Sequence, residues 1–219
     1  MSLWSDLLTE ALRHASGDTL GSLQRLEVAV RTGTVTRLES NLHFCVQRVE
    51  QANKKIAAGA DIARMSELLT LARYGAGSIG KGVGEIFGAT KIAPELEAIF
   101  VAKFLTVMII QRRKYHALFP ADLLQKHSVQ RSKLEEPSAG PVLCDILERA
   151  KSSAAQFPGY NARYINRKTQ IMLTYEKKLL AKRLSRLSAN PFAQNPINLG
   201  VWDRFVCALN LRLLKLPSP

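Results

Sequence analysis

Cysteine is scarce in this chain of 219 residues, with three in all, at Cys45, Cys144 and Cys207. An odd number at wide spacing builds no disulfide framework and points to a reducing, intracellular setting, cytoplasmic or in a nucleoid or nucleus. The start, MSLWSDLLTEALRH, carries acids early and lacks the basic opening and small-residue cleavage site of a secretory signal. The chain also holds only four histidines, His14, His43, His116 and His127. His43 and Cys45 form an H-x-C pair with no second pair elsewhere, so no zinc site is expected and both fit an amphipathic helix. None of H-E-x-x-H, G-x-S-x-G or D-x-D occurs. Asp122, Asp145, Glu148, Glu176 and Asp203 fall at no spacing that would hold the magnesium of a nuclease. The reading is a non-catalytic protein without metal or cofactor.

Alternating strand patterns are missing too, and so is a membrane span. The most apolar segment, Ile92 to Ile110, is interrupted by Glu95, Glu97 and Lys103 and reads as a buried central helix opened by Pro94. It runs out into Gln111-Arg112-Arg113-Lys114, cations at a helix C-terminus where the dipole favours them.

What the chain does have is positive charge, 31 Lys and Arg against 18 Asp and Glu, for a net +13. The excess is one-sided. Residues 1–70 carry eight bases and eight acids, and the remainder carries 23 and 10. Solubility does not require such asymmetry, and a basic field of this kind attracts polyanions.

Helical periodicity runs nearly throughout. Leu3, Leu7, Leu8, Ala11 and Leu12 form an apolar stripe closed by Ser16-Gly17-Asp18. A second face continues through Leu23, Leu26, Val30, Val35, Leu38, Leu42, Cys45, Val46 and Val49, with a break at Thr32-Gly33-Thr34 that would divide it into two helices. Asp61 is the N-cap candidate for a helix from Ile62 to Tyr74. The expected fold is an all-α multi-helix bundle with a glycine-rich connection near residues 75–88 and a long basic C-terminal helix. The parts are a neutral helical region over 1–74, the glycine-rich loop and central helix over 75–127, a linker over 128–141, and a basic helical region over 142–219.

The stretch GAGSIGKG, Gly75 to Gly82, comes within one residue of the phosphate-binding signature G-x-x-x-x-G-K-[ST], and it also contains G-x-G-x-x-G. Both signatures need a strand before the glycines, yet MSELLTLARY reads as an amphipathic helix. Gly82 supplies no hydroxyl for magnesium, and Gln111 follows FLTVMII where an acid would be needed. A nucleotide site is therefore set aside. Two readings remain for the glycines. One is a connection that lets helices approach closely. The other is a loop whose N–H groups lie on a polyanion beside Arg73, Lys81 and Lys91.

Between Arg149 and Arg186 stand ten bases, Arg149, Lys151, Arg163, Arg167, Lys168, Lys177, Lys178, Lys182, Arg183 and Arg186, against the single acid Glu176. Leu173, Leu180, Leu184 and Leu187 give this segment an apolar stripe, and Lys178, Lys182 and Arg186 stack at four-residue spacing on another face. Tyr160, Tyr164 and Tyr175 interleave and could stack on bases or bond phosphates. Like charges at that spacing repel unless an external anion offsets them. The expected partner is nucleic acid, RNA or DNA, held by its phosphates without sequence readout. The expected contacts are Arg73, Lys81, Lys91, Arg112, Arg113, Lys114, Tyr160, Arg163, Tyr164, Arg167, Lys168, Lys177, Lys178, Lys182, Arg183 and Arg186. The neutral N-terminal helices would serve protein partners in a nucleoprotein complex. The rival reading is a helical scaffold or peripheral protein on anionic membrane or an acidic protein.

Overall fold

Leu23, Leu26, Ala29 and Val30 recur at helical spacing and are buried on one side of α1 (Gly17–Thr32), which has Asp18 in its first turn and Arg31 in its last. The computed structural model describes Trp4, Leu7, Leu8, Ala11, Leu12, Ala15 and residues 17–57, 62–156 and 167–193. Among these residues there is no strand, and the fold is an all-α multi-helix arrangement, as the periodicity predicts. Gly33, at φ +74°, ends α1 at the expected break, its N–H donating to the Ala29 carbonyl over 2.8 Å. Helix α2 (His43–Ala57) buries Cys45, Val46, Val49 and Ala52. Helix α3 (Met65–Ala72) starts three residues later than expected, with Arg64 at the cap and the Glu67 carboxylate accepting from the Ala63 N–H at 2.9 Å. Asp61, the expected cap, lies outside the described residues.

The glycine-rich connection expected near residues 75–88 is instead helix. From α3 the chain passes through a π-helical turn, Arg73–Gly77, straight into α4 (Ser78–Ile86). Each glycine in a helix interior costs about 1 kcal/mol of intrinsic stability. Here that cost is offset by contacts that a side chain would block. A Cβ on Gly80 would lie 2.5 Å from the Leu96 carbonyl oxygen, so α4 rests directly on the backbone of α5 (Ala93–Ile110). A Cβ on Gly75 would overlap the Trp4 indole. That indole stacks on Phe104 with centroids 5.5 Å apart and donates to Asn53 Oδ1 at 2.6 Å. The sequence periodicity could not register such a helix, because its stripe is marked by absent side chains. The true turn comes at Gly88, φ +68°, where the Ala89 N–H closes onto the Gly84 carbonyl.

Helix α5 is apolar around most of its circumference and is accordingly buried at the centre, as expected. It packs against α3, α4, α7 (Gly140–Ala155) and α8 (Arg167–Ala189). The short α6 (Ala121–Lys126) is tied to the start of α3 by hydrogen bonds from the Ala121 and Asp122 N–H groups to the Ile62 and Ala63 carbonyls. Residues 128–141 run through two single 3₁₀ turns with Val129, Leu134 and Ala139 buried. One apolar cluster extends from Trp4 to Leu187. Among the described residues, no helix is long and apolar enough to cross a membrane.

Candidate nucleic-acid interface

Helix α8 turns Leu173, Leu179, Leu180 and Leu187 inward, and its packing settles where its charges go. Lys177, Lys182 and Arg186 are exposed, while Lys178 and Arg183 are half-buried at the flanks. Lys177, Lys178, Lys182 and Arg183 also engage other groups of the chain. The helix contains one acid, Glu176, and that acid is only 1% exposed. Its carboxylate meets Lys103 of α5, with Nζ 2.7 Å from Oε2 and 2.9 Å from Oε1. Lys103 also donates to the Leu7 carbonyl at 2.9 Å and stands 4.6 Å from the centre of the Phe100 ring. The solvent face of α8 therefore presents cations with no carboxylate of its own helix among them. Arg167 and Lys168 open the same helix, at its positive dipole end, although their side chains are outside the described set.

Several other sequence-predicted contacts have different roles. Arg112 is 2% exposed. Its Nε donates to the Leu134 carbonyl at 3.0 Å, Nη1 to Ile109 and Nη2 to Phe192, and its guanidinium lies over the Phe192 ring. Burial lowers its pKa, and the nearby charge of Glu135 opposes that shift. Arg112 thus clamps the turn after α5 to the chain after α8 and does not face an external anion. Lys81, the lysine of the glycine motif, is half-buried and paired with Glu97 of α5 at 2.5 Å. Gly77 makes room for that partner, since a Cβ there would lie 2.8 Å from Glu97 Cγ. The polyanion-cradling loop expected at the glycines is not formed, because Gly75, Gly77, Gly80, Gly82 and Gly84 are buried in helix. Tyr175 is 8% exposed and cannot stack on a base.

Arg73, Arg113 and Lys114 are exposed. Lys114 stands over the Tyr115 ring at 5.0 Å. Arg113 lines a depression of about 300 Å³ together with Arg112, His116, Arg131, Ser132, Leu134 and the acid Glu135. Lys91 lies in the 3₁₀ turn before α5, its side chain outside the described set, and Tyr160, Arg163 and Tyr164 are outside the described residues altogether.

Arg73, at the start of the π-turn, and Arg149 of α7 both line a cleft of about 410 Å³. Leu69, Pro94, Ala98 and Val101 supply its apolar wall, with Glu97, Ser152, Ser153 and Gln156 also lining it. Arg149 was visible in the sequence only as one member of a basic run, and Arg131 lay in a stretch read as linker. Nothing in their spacing pairs them with Arg73 or Arg113.

His127 and Lys126 both bond Asp145, at 2.9 and 2.7 Å. These bonds, His127's first, hold the Asp145 carboxyl below its ordinary pKa. Cys45 is buried and its thiol is pushed up to about 12 by desolvation. Among the described residues, no three His, Cys, Asp or Glu side chains converge to hold a metal. Comparison with protein-family models, with curated proteins and with solved structures finds no match.

Proposed function

We propose that this protein binds nucleic acid, RNA or DNA, through its phosphates, as a non-catalytic subunit of a nucleoprotein complex. The observation that carries the reading is the burial of Glu176 against Lys103. The one carboxylate of α8 itself is spent in the core. Lys177, Lys182 and Arg186 are exposed on the same helix. An extended anion relieves the mutual repulsion of such a face and gains the entropy of released counterions. Arg113 and Arg131 add cations after α5. Helices α1 and α2, in the N-terminal region whose bases and acids balance as a whole, are the proposed surface for protein partners.

Binding of mixed-sequence RNA and DNA at several salt concentrations tests this. The logarithm of the association constant should fall linearly with the logarithm of salt, steeply enough to report several phosphates. Lys182→Glu with Arg186→Glu should weaken binding to all sequences alike. A flat salt response, or binding to anionic vesicles and not to nucleic acid, overturns the reading.

A further inference from the structure

We infer that the cleft between Arg73 and Arg149 seats one nucleotide of a bound single strand, an inference that rests on the nucleic-acid reading above. Two exposed guanidiniums, from the π-turn after α3 and from the middle of α7, line the same cleft. Guanidinium forks bind phosphate oxygens in pairs, which point-charge lysines do not. The rest of the lining goes beyond what a phosphate alone needs. Its volume, about 410 Å³, falls in the range of small-molecule sites and far exceeds one phosphate group. Leu69, Pro94, Ala98 and Val101 line the cleft with aliphatic groups that a base can contact, and Ser152, Ser153 and Gln156 offer groups to hydrogen-bond its edge.

Among the described residues Glu97 is the one carboxylate lining the cleft, and Lys81 at 2.5 Å neutralises it. It therefore accepts an exocyclic amino group or a sugar hydroxyl without repelling the phosphate held by the arginines. The glycine motif contributes indirectly. The absence of a Cβ at Gly77 lets Glu97 lie across the helix toward Lys81. A duplex keeps its bases stacked and can fill this cleft only by extruding one, at a cost of a few kcal/mol. The occupant is accordingly a nucleotide of a single strand, whose bases are already free to leave the stack.

The test uses the full chain with four probes: adenosine and uridine monophosphates, inorganic phosphate, a mixed-sequence single-stranded RNA 12-mer, and the same sequence as a duplex. Arg73→Gln with Arg149→Gln is compared with Lys182→Glu with Arg186→Glu, after circular dichroism and thermal melts show that each variant folds. The cleft variant should lose mononucleotide binding and at least tenfold in single-strand affinity, while duplex affinity changes less than twofold. The α8 variant should weaken single strand and duplex together and leave mononucleotide binding in place. Equal losses for single strand and duplex in the cleft variant, or no loss, overturn the cleft proposal and leave the nucleic-acid reading standing. Inorganic phosphate binding as tightly as the mononucleotides also overturns it, because the apolar wall then contributes nothing. Mononucleotide binding without polymer binding overturns the nucleic-acid reading and keeps the cleft as a nucleotide site. If neither binds, both fall.

Discussion

Lys103 of α5 and Glu176 of α8, 73 positions apart in the chain, form an ion pair that solvent barely reaches, with side chains 3% and 1% exposed. Breaking one side strands a charge in the core. Glu176→Gln should therefore lower unfolding free energy by about 3–5 kcal/mol. Replacing both, as Lys103→Met with Glu176→Leu, should cost far less or raise stability, since neither desolvated charge remains. Chemical denaturation of the two variants decides this, and equal losses in both would refute the account.

Close packing at the glycines predicts opposite signs for one substitution. Gly80→Ala drives a methyl into the Leu96 carbonyl and should destabilise by about 2–3 kcal/mol despite better helix propensity. Gly21→Ala in α1 meets only Arg25 Nη1, at 3.3 Å on an exposed side chain, and should stabilise by about 0.5–1 kcal/mol. Thermal melts of the two variants give both values.

The Cys45 thiol is held protonated by burial, with its pKa pushed up to about 12. The unfolded chain's thiol ionises near 8.5. A raised folded value means stability that is full below about pH 8.5 and is lost as pH climbs from there toward 12. Stability measured between pH 8 and 10 should fall more steeply in the native protein than in Cys45→Ala. In a Cys207→Ser background, a thiol reagent at pH 8 should label exposed Cys144 and leave Cys45 untouched until the protein unfolds.

Asp145 carries the opposite sign. Its carboxyl is held below the ordinary range by His127 and then Lys126, so the stabilisation is present above that range and lost as pH falls through the folded value. Asp145→Asn should cost less than about 1 kcal/mol near neutrality, as expected for a half-exposed pair, and the gap from the native protein should close in acid. Urea titrations at pH 7 and pH 3 measure the difference.

For the proposed interface, losing two phosphate contacts on α8 should reduce the duplex salt slope by about 1.8 in Lys182→Glu with Arg186→Glu. An unchanged slope with weaker binding would place the phosphates elsewhere on the protein.

The spacing of apolar residues carried the helices well. α1 lies close to where its stripe puts it, because one-sided burial leaves a 3.6-residue signature in the chain, and α5 lies where its apolar run puts it, whereas α2 starts only at His43 although its stripe opens at Val35. It failed at α4, whose contacts are made by hydrogen atoms of glycine against Trp4, Leu96 and Glu97, partners that no local window contains. Arg112 and Arg113 show the same limit at the site. They are adjacent and chemically identical, yet one is clamped by carbonyls of Leu134, Ile109 and Phe192 and the other faces solvent.

The amino-acid order alone determined the all-helical class, the central apolar helix and the placement of all net positive charge beyond residue 70, since propensity, periodicity and charge are local sums. Tertiary structure decided which charges are available. It buried Glu176 and Arg112, paired Lys81 with Glu97, and brought Arg73 and Arg149 to one cleft. Those outcomes depend on which helices meet and at what distance, and burial changes the electrostatic worth of a charge far more than its position in the chain does.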